Sequence, residues 1–145
     1  MPPSARPPRA WLPQDVAALQ ALYAAALRNA SPALPESFIE AEVGNLAQTY
    51  LPQTDTRVIG HLGAPVGFLS LNGNEIAGLF IHPDSQRNGI GTALLAWAAD
   101  QTANLEAEVF AENTPARRFY EANGFTEIAK AAHPETGLPL LRLRR

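Results

Sequence analysis

The stretch IHPDSQRNGIGTALLAWAAD, from Ile81 to Asp100, constrains this chain more than any other. A strand-like end meets a proline, then a turn holding Gly89 and Gly91, then at once an amphipathic helix. A strand that feeds a helix through so bare a turn leaves the first backbone N–H groups of the helix unpaired. With the helix dipole behind them, those donors form an anion site, and glycine lets a phosphate come close to the backbone. The competing explanation is a tight turn that merely packs. Two glycines alone do not separate these readings, because isolated glycine motifs often mislead.

The flanking sequence supplies the rest of the fold. VAALQALYAAAL (Val16–Leu27) sets Val16, Leu19, Tyr23, Ala26 and Leu27 on one helical face, with Asp15 placed to cap it. SFIEAEVGNLAQTYL opens with Ser37 and Glu40 at capping-box spacing and continues the stripe through Ile39, Val43, Leu46, Ala47 and Tyr50. The texture then changes. DTRVIGHLG, APVGFLSLNG and EIAGLFIHP are short, β-branched or aromatic, and separated by turn residues, so they predict strands. Asn72-Gly73 predicts a hairpin that pairs the second and third of them antiparallel.

Beyond the glycines, Ile90, Leu94, Trp97 and Ala98 mark a third helix, and LEAEVFAE (Leu105–Glu112) predicts a strand. In NTPARRFYEANGF, Thr114 can cap a helix, Pro115 suits its first position and Gly124 its left-handed stop. FTEIAKAA and LPLLRLRR, joined through HPETG, predict a last hairpin whose wet face carries Arg142 and Arg144. One more strand around Arg9–Leu12 carries little signal. The order is two helices, three strands, helix, strand, helix, two strands. It predicts one α/β domain with a mixed sheet over residues 10–145, behind a flexible proline-rich leader at 1–9.

Composition narrows the chemistry. A net charge of -3, with no acidic or basic block, points away from nucleic acid and anionic membrane as partners. The apolar runs Ile76–Ile81 and Ala93–Ala99 are far too short to span a bilayer. The start MPPSARPPRA lacks the apolar centre of a signal peptide, and a cytoplasmic location is expected. Cysteine is absent, which removes thiolate metal sites and any cysteine-bound acyl intermediate. His61, His82 and His133 are scattered without helical spacing, so no metal site is expected. His82 reads as a loop anchor.

Two named phosphate loops fail: no Gly-Lys-Ser/Thr follows, and Leu94 stands where a dinucleotide fingerprint needs its last glycine. What fits is QRNGIG, Gln86 to Gly91, which resembles the Gln/Arg-x-x-Gly-x-Gly/Ala signature of the GNAT superfamily of N-acetyltransferases. GLFIHPDSQRNGIGTALL is similar to that family's central strand, loop and helix, and FAENTPARRFYEANGF to its next strand end and helix. The specific resemblance covers Glu75 to Phe125, and the flanks agree in element order only. It implies a single-domain GNAT-like fold, with a mostly antiparallel sheet, splayed central strands and about four helices. It also implies acetyl-CoA as co-substrate.

On that resemblance, the backbone of Gln86, Arg87, Asn88, Gly89, Ile90, Gly91 and Thr92 would hold the pyrophosphate, with the Arg87 side chain adding charge. Arg117 and Arg118 are further candidates for the adenosine phosphate. The strand Leu79, Phe80, Ile81 would lend its free edge to the pantetheine arm, and the Leu79 N–H would polarise the acetyl carbonyl. Asn113 matches a position that binds the arm or supports the acid. Tyr120 matches the family tyrosine near the thioester sulfur, a phenol that stays protonated at neutral pH and can donate. Glu75 matches the basic glutamate of the histone acetyltransferase branch, although an ordered water and backbone carbonyls could do that work.

The expected reaction is direct acetyl transfer to a primary amine, small molecule or peptide, in a ternary complex. The expected state is monomer or homodimer. A module that keeps the CoA site without useful catalysis is the alternative. Transfer of another acyl group, set by the room around Phe80 and Tyr120, is a third.

Overall fold

A computed structural model describes residues 7–86 and 88–145. Among the described residues, seven strands form one sheet in the order β1-β2-β3-β4-β5-β7-β6. They are β1 (Arg9–Ala10), β2 (Asp55–His61), β3 (Ala64–Asn72), β4 (Glu75–Ile81), β5 (Glu106–Phe110), β6 (Thr126–Ala132) and β7 (Pro139–Arg144). Neighbours pair antiparallel except β4 and β5, which are parallel. The helices are α1 (Val16–Ala30), α2 (Glu36–Asn45), α3 (Leu51–Gln53), α4 (Ile90–Gln101) and α5 (Thr114–Ala122). A π turn at Leu46–Tyr50 joins α2 to α3, so the helices form four units. The strand expected at Arg9–Leu12 is two residues long and lies against Val58 and Arg57. Of the proline-rich leader, residues 1–6 lie outside the described residues.

The pleat of β2 and β3 divides the core. Val58 and Phe68 face α1 and α2, while their neighbours Ile59 and Leu69 face α4. Leu94, fully buried, seats α4 on its side, and Leu19 does the same for α1 on the other. β4 continues the alternation: Leu79 and Ile81 pack with the α4 side, Phe80 with the α1 side. No helix among the described residues is long and apolar enough to cross a membrane.

The helix starts differ from expectation in three places. Asp15 does not cap α1 through its side chain. Its backbone is already helical, in a 3-10 turn that runs into α1, so the carboxylate reaches backward. It accepts from the Leu12 N–H at 2.7 Å and from Arg9 at 2.8 and 3.0 Å. The capping box at Ser37 and Glu40 does not form. α2 starts two residues earlier than that box implies, at Glu36, and the extended Pro35 takes the cap position, its carbonyl accepting from Phe38 and Ile39. At α5 the cap is Asn113 rather than Thr114: the Asn113 side chain accepts from the Ala116 N–H at 3.2 Å, and Pro115 is second in the helix.

The hydrogen bonds from Arg9 hold the Asp15 carboxyl below the usual carboxylate range, with the Leu12 amide adding to the effect against burial. A depressed folded-state value means stability that is present above the unfolded value, near about 3.9, and lost as pH falls through the folded one. Asp15→Asn should therefore lower stability at neutral pH, and its deficit against the wild type should shrink as pH falls below about 3.9 and through the depressed folded-state value. Urea unfolding across that pH range measures it.

Candidate active site

β4 touches β5 over two residue pairs only, Glu75 with Glu106 and Ile76 with Ala107. The next residue, Ala77, is an extra one in the β3–β4 ladder, where Ser70 pairs with Gly78 but Leu71 with Ile76. Such a bulge bends its strand and increases the twist. Beyond it, β4 follows β3 to Ile81 while β5 follows β7 to Phe110. The edge of β4 that faces away from β3 is thereby left without a strand partner, although backbone donors and acceptors demand one.

Two cavities flank the parting and share Leu79, Phe80, Asn113, Ala116 and Tyr120 in their walls. The first, about 500 Å³, runs along Leu79, Phe80 and Ile81 to the start of α4. Gln86, Gly89, Ile90, Gly91 and Thr92 line it there. Asn88 is exposed beside it, outside the lining, and Arg87 lies outside the described residues. Gly89 has φ 75, a left-handed conformation that favours glycine, and α4 has no side-chain cap. The first intrahelical bond is Ala93 N–H to Gly89 O at 3.0 Å, and among the described residues the amides of Ile90, Gly91 and Thr92 have no partner. A Cβ on Gly91 would stand 3.1 Å from the Phe119 ring of α5, so a larger residue here would have to push the ring back by a few tenths of an ångström. Bare amides, a helix dipole and a free strand edge in one groove suit a long ligand with a phosphate group and amides.

Other expected residues fall differently. Arg118 lines the first cavity, whereas Arg117 is turned to the Ala111 carbonyl at 3.0 Å. His82 accepts from the Asp84 N–H at 3.2 Å and so anchors the loop after β4. Tyr120 is buried at 5% exposure between the cavities, and burial alone pushes its phenol well above the ordinary range. Tyr120 therefore stays a proton donor throughout neutral pH.

The second cavity, about 380 Å³, lies between β4 and the α1–α2 side. Glu75 lines it with Oε2 held by Arg142 at 2.5 Å. Arg142 also binds Glu106 at 2.8 Å and Glu108 at 2.9 Å, so it is the hub of an ion network on the partly exposed face of the sheet. Three residues here carry no sequence motif. Glu42 of α2 accepts from Tyr23 at 3.0 Å and Tyr50 at 2.7 Å. Burial, reinforced by the Glu42 charge, pushes the Tyr23 phenol far up. The same causes, with the Glu42 hydrogen bond, push Tyr50 up to about 12. Tyr23 and Tyr50 were visible only as members of apolar stripes. Ser31, just after α1, hydrogen-bonds Glu112 shortly before α5.

The sequence model of the acetyltransferase (GNAT) family matches residues 16–125. Peptidyl-lysine N-acetyltransferase YiaC of Escherichia coli (strain K12) is 36% identical over 91 residues, 62% of this chain and 62% of that protein. The match thus spans less than two thirds of that relative's length. The solution structure of apo-form YjaB from Escherichia coli has a TM-score of 0.81 at 26% identity, over 94% of this chain and 95% of that one. The PaiA N-acetyltransferase of Thermoplasma acidophilum, solved in complex with coenzyme A, shares the fold with a TM-score of 0.74 at 17% identity, covering 93% and 96%.

Proposed function

The chain belongs to the GNAT family of acetyltransferases, and from that membership we propose that it transfers an acetyl group from acetyl-CoA directly to a primary amine within a ternary complex. The observation that carries the reading is the unpartnered edge of β4, which leads from the uncapped start of α4 to a buried phenol, Tyr120. Acetyl-CoA has the chemistry for that groove: a pyrophosphate for the amides from Gln86 to Thr92, and pantetheine amides for Leu79, Phe80 and Ile81. The Asn113 oxygen serves as the α5 cap, which leaves its amide N–H₂ for the arm. A protein-borne lysine is the acceptor favoured by the likeness to a peptidyl-lysine N-acetyltransferase. A cytoplasmic site of action suits that co-substrate.

The acceptor enters from the second cavity. Its nitrogen must be neutral to attack, so one proton leaves it first, to Glu75 or to water. The lone pair then forms a C–N bond to the thioester carbon while the Leu79 N–H steadies the carbonyl oxygen. The C–S bond breaks, Tyr120 donates its proton to the departing sulfur, and the nitrogen's remaining extra proton restores the Tyr120 phenol by way of solvent. With no cysteine in the chain, no cysteine-bound intermediate intervenes.

Release of free thiol from acetyl-CoA with a lysine peptide tests the reading; tight binding without turnover across a broad amine panel sinks it. Tyr120→Phe should lower kcat by roughly a hundredfold with little change in acetyl-CoA affinity. Because its phenol is raised, the wild-type rate should show no alkaline loss from Tyr120 below about pH 10. Gly91→Leu, which crowds Phe119 and fills the groove, should weaken acetyl-CoA binding by roughly tenfold or more, measured by calorimetry. Glu75→Gln should change the acid-side limb of the pH–rate profile, the requirement for a deprotonated base, if Glu75 takes the proton; an unaltered profile assigns that step to water.

A further inference from the structure

The second cavity is charged in a way that acetyl transfer alone does not require. Glu42, Glu75 and Glu108 line it, and no lysine or arginine does among the described residues. Arg142 engages Glu75 and Glu108. Glu42 is different: its partners are two neutral phenols, and both fall on Oε2. Hydrogen bonds from phenols leave the charge uncompensated, and the other oxygen keeps its lone pairs to offer. Aromatic faces stand close by. The Tyr23 and Phe80 rings are 4.7 Å apart and Phe80 and Phe68 5.5 Å, and all three residues line the cavity. Such faces favour a cation.

The helical arm is shaped to hold this arrangement. Along an unbroken α-helix, Glu42 and Tyr50, eight residues apart, would point about 80° away from each other. The π turn at Leu46–Tyr50, with Leu51 N–H bonded back to Leu46 O, adds a residue to the turn and rotates Tyr50 onto the Glu42 side. Pro52, which cannot donate and would crowd a regular α-turn, follows directly. Tyr23 comes from α1, so two separate elements converge on one carboxylate.

We propose that Glu42, oriented by Tyr23 and Tyr50, receives the ammonium of the incoming acceptor and thereby selects aliphatic amines that arrive charged. No bond is made or broken at Glu42. The ammonium donates to Oε1 on entry, then gives its proton to the base and turns its lone pair toward the thioester. Glu42 is thus a specificity determinant, expressed in KM rather than kcat. The inference rests on the transfer reading above for its kinetics, but its binding step can be tested without turnover.

The test uses the full chain loaded with coenzyme A and two blocked tripeptides, acetyl-Gly-Lys-Gly-amide and its uncharged norleucine counterpart. The wild type should bind the lysine peptide roughly tenfold or more tightly than the norleucine one, and Glu42→Gln should erase that preference. Coenzyme A affinity should not change. In turnover with acetyl-CoA, the same variant should raise KM for the lysine peptide while saturated kcat stays within about threefold. A preference that survives Glu42→Gln, or is absent from the wild type, overturns the proposal. Should that variant not fold, the ¹³C resonance of the Glu42 carboxylate in the wild type decides: it should move with the lysine peptide and not with the norleucine one, and a resonance that ignores both overturns the proposal. Lysine preference lost on Glu42→Gln, in a protein that never acetylates, would uphold the ammonium site and sink the transfer reading. Turnover with an unchanged KM in Glu42→Gln would do the reverse.

Discussion

An unpaired strand edge inside a protein is costly, and this molecule keeps one at its centre. β4 and β5 share two residue pairs and then part, with Ala77 bulging at the point of parting. The rest of the site depends on that gap. It gives the first cavity a wall of backbone donors and acceptors, leaves Tyr120 between two spaces, and lets the cavities meet at Leu79 and Phe80. A ligand that carries its own amides can restore the missing pairing much as a strand would. On the proposed function the edge would be a binding surface, and its cost in the free protein would contribute to its affinity.

The two ends of the gap are held by different chemistry. At the narrow end, Arg142 of β7 ties Glu75 of β4 to Glu106 and Glu108 of β5, so ion pairs clamp the strands where they are still parallel. At the wide end, contact is close but uncharged. Gly91 lets α4 approach Phe119, and the Asn113 cap begins α5 beside the groove. α1 and α2 close the opposite side, tied to it through Ser31 and Glu112. The α4 side thus presents backbone amides, suited to phosphate, while the α2 side presents Glu42 between phenols, suited to a cation. On the proposed function, the acetyl donor and a charged acceptor would enter from opposite faces and meet at Tyr120.

Much of the fold was legible because its signals are local. The 3.6 period of α1, α2 and α4, the β3–β4 hairpin (its loop Gly73-Asn74, one residue beyond the expected Asn72-Gly73) and the left-handed Gly124 each act within a few residues. The cap assignments were less secure because they depend on backbone conformation one residue to either side. Asp15 bonds backward to Arg9 and Leu12, Pro35 displaces Ser37, and Asn113 displaces Thr114.

The sequence by itself determined the strand, glycine turn and helix from Glu75 to Gln101, and with it a row of free amides, since helical periodicity and a left-handed φ are properties of neighbouring residues. Only the tertiary structure decided where β4 leaves β5, which carboxylates Arg142 gathers and that Glu42 meets Tyr23 and Tyr50. Arg142 lies 67 positions from Glu75, and Tyr23 19 from Glu42. Pairings over such separations are set by register and packing, which no local pattern encodes. Even the eight-residue pair Glu42 and Tyr50 depends on a π turn that shifts the helical period the sequence would suggest.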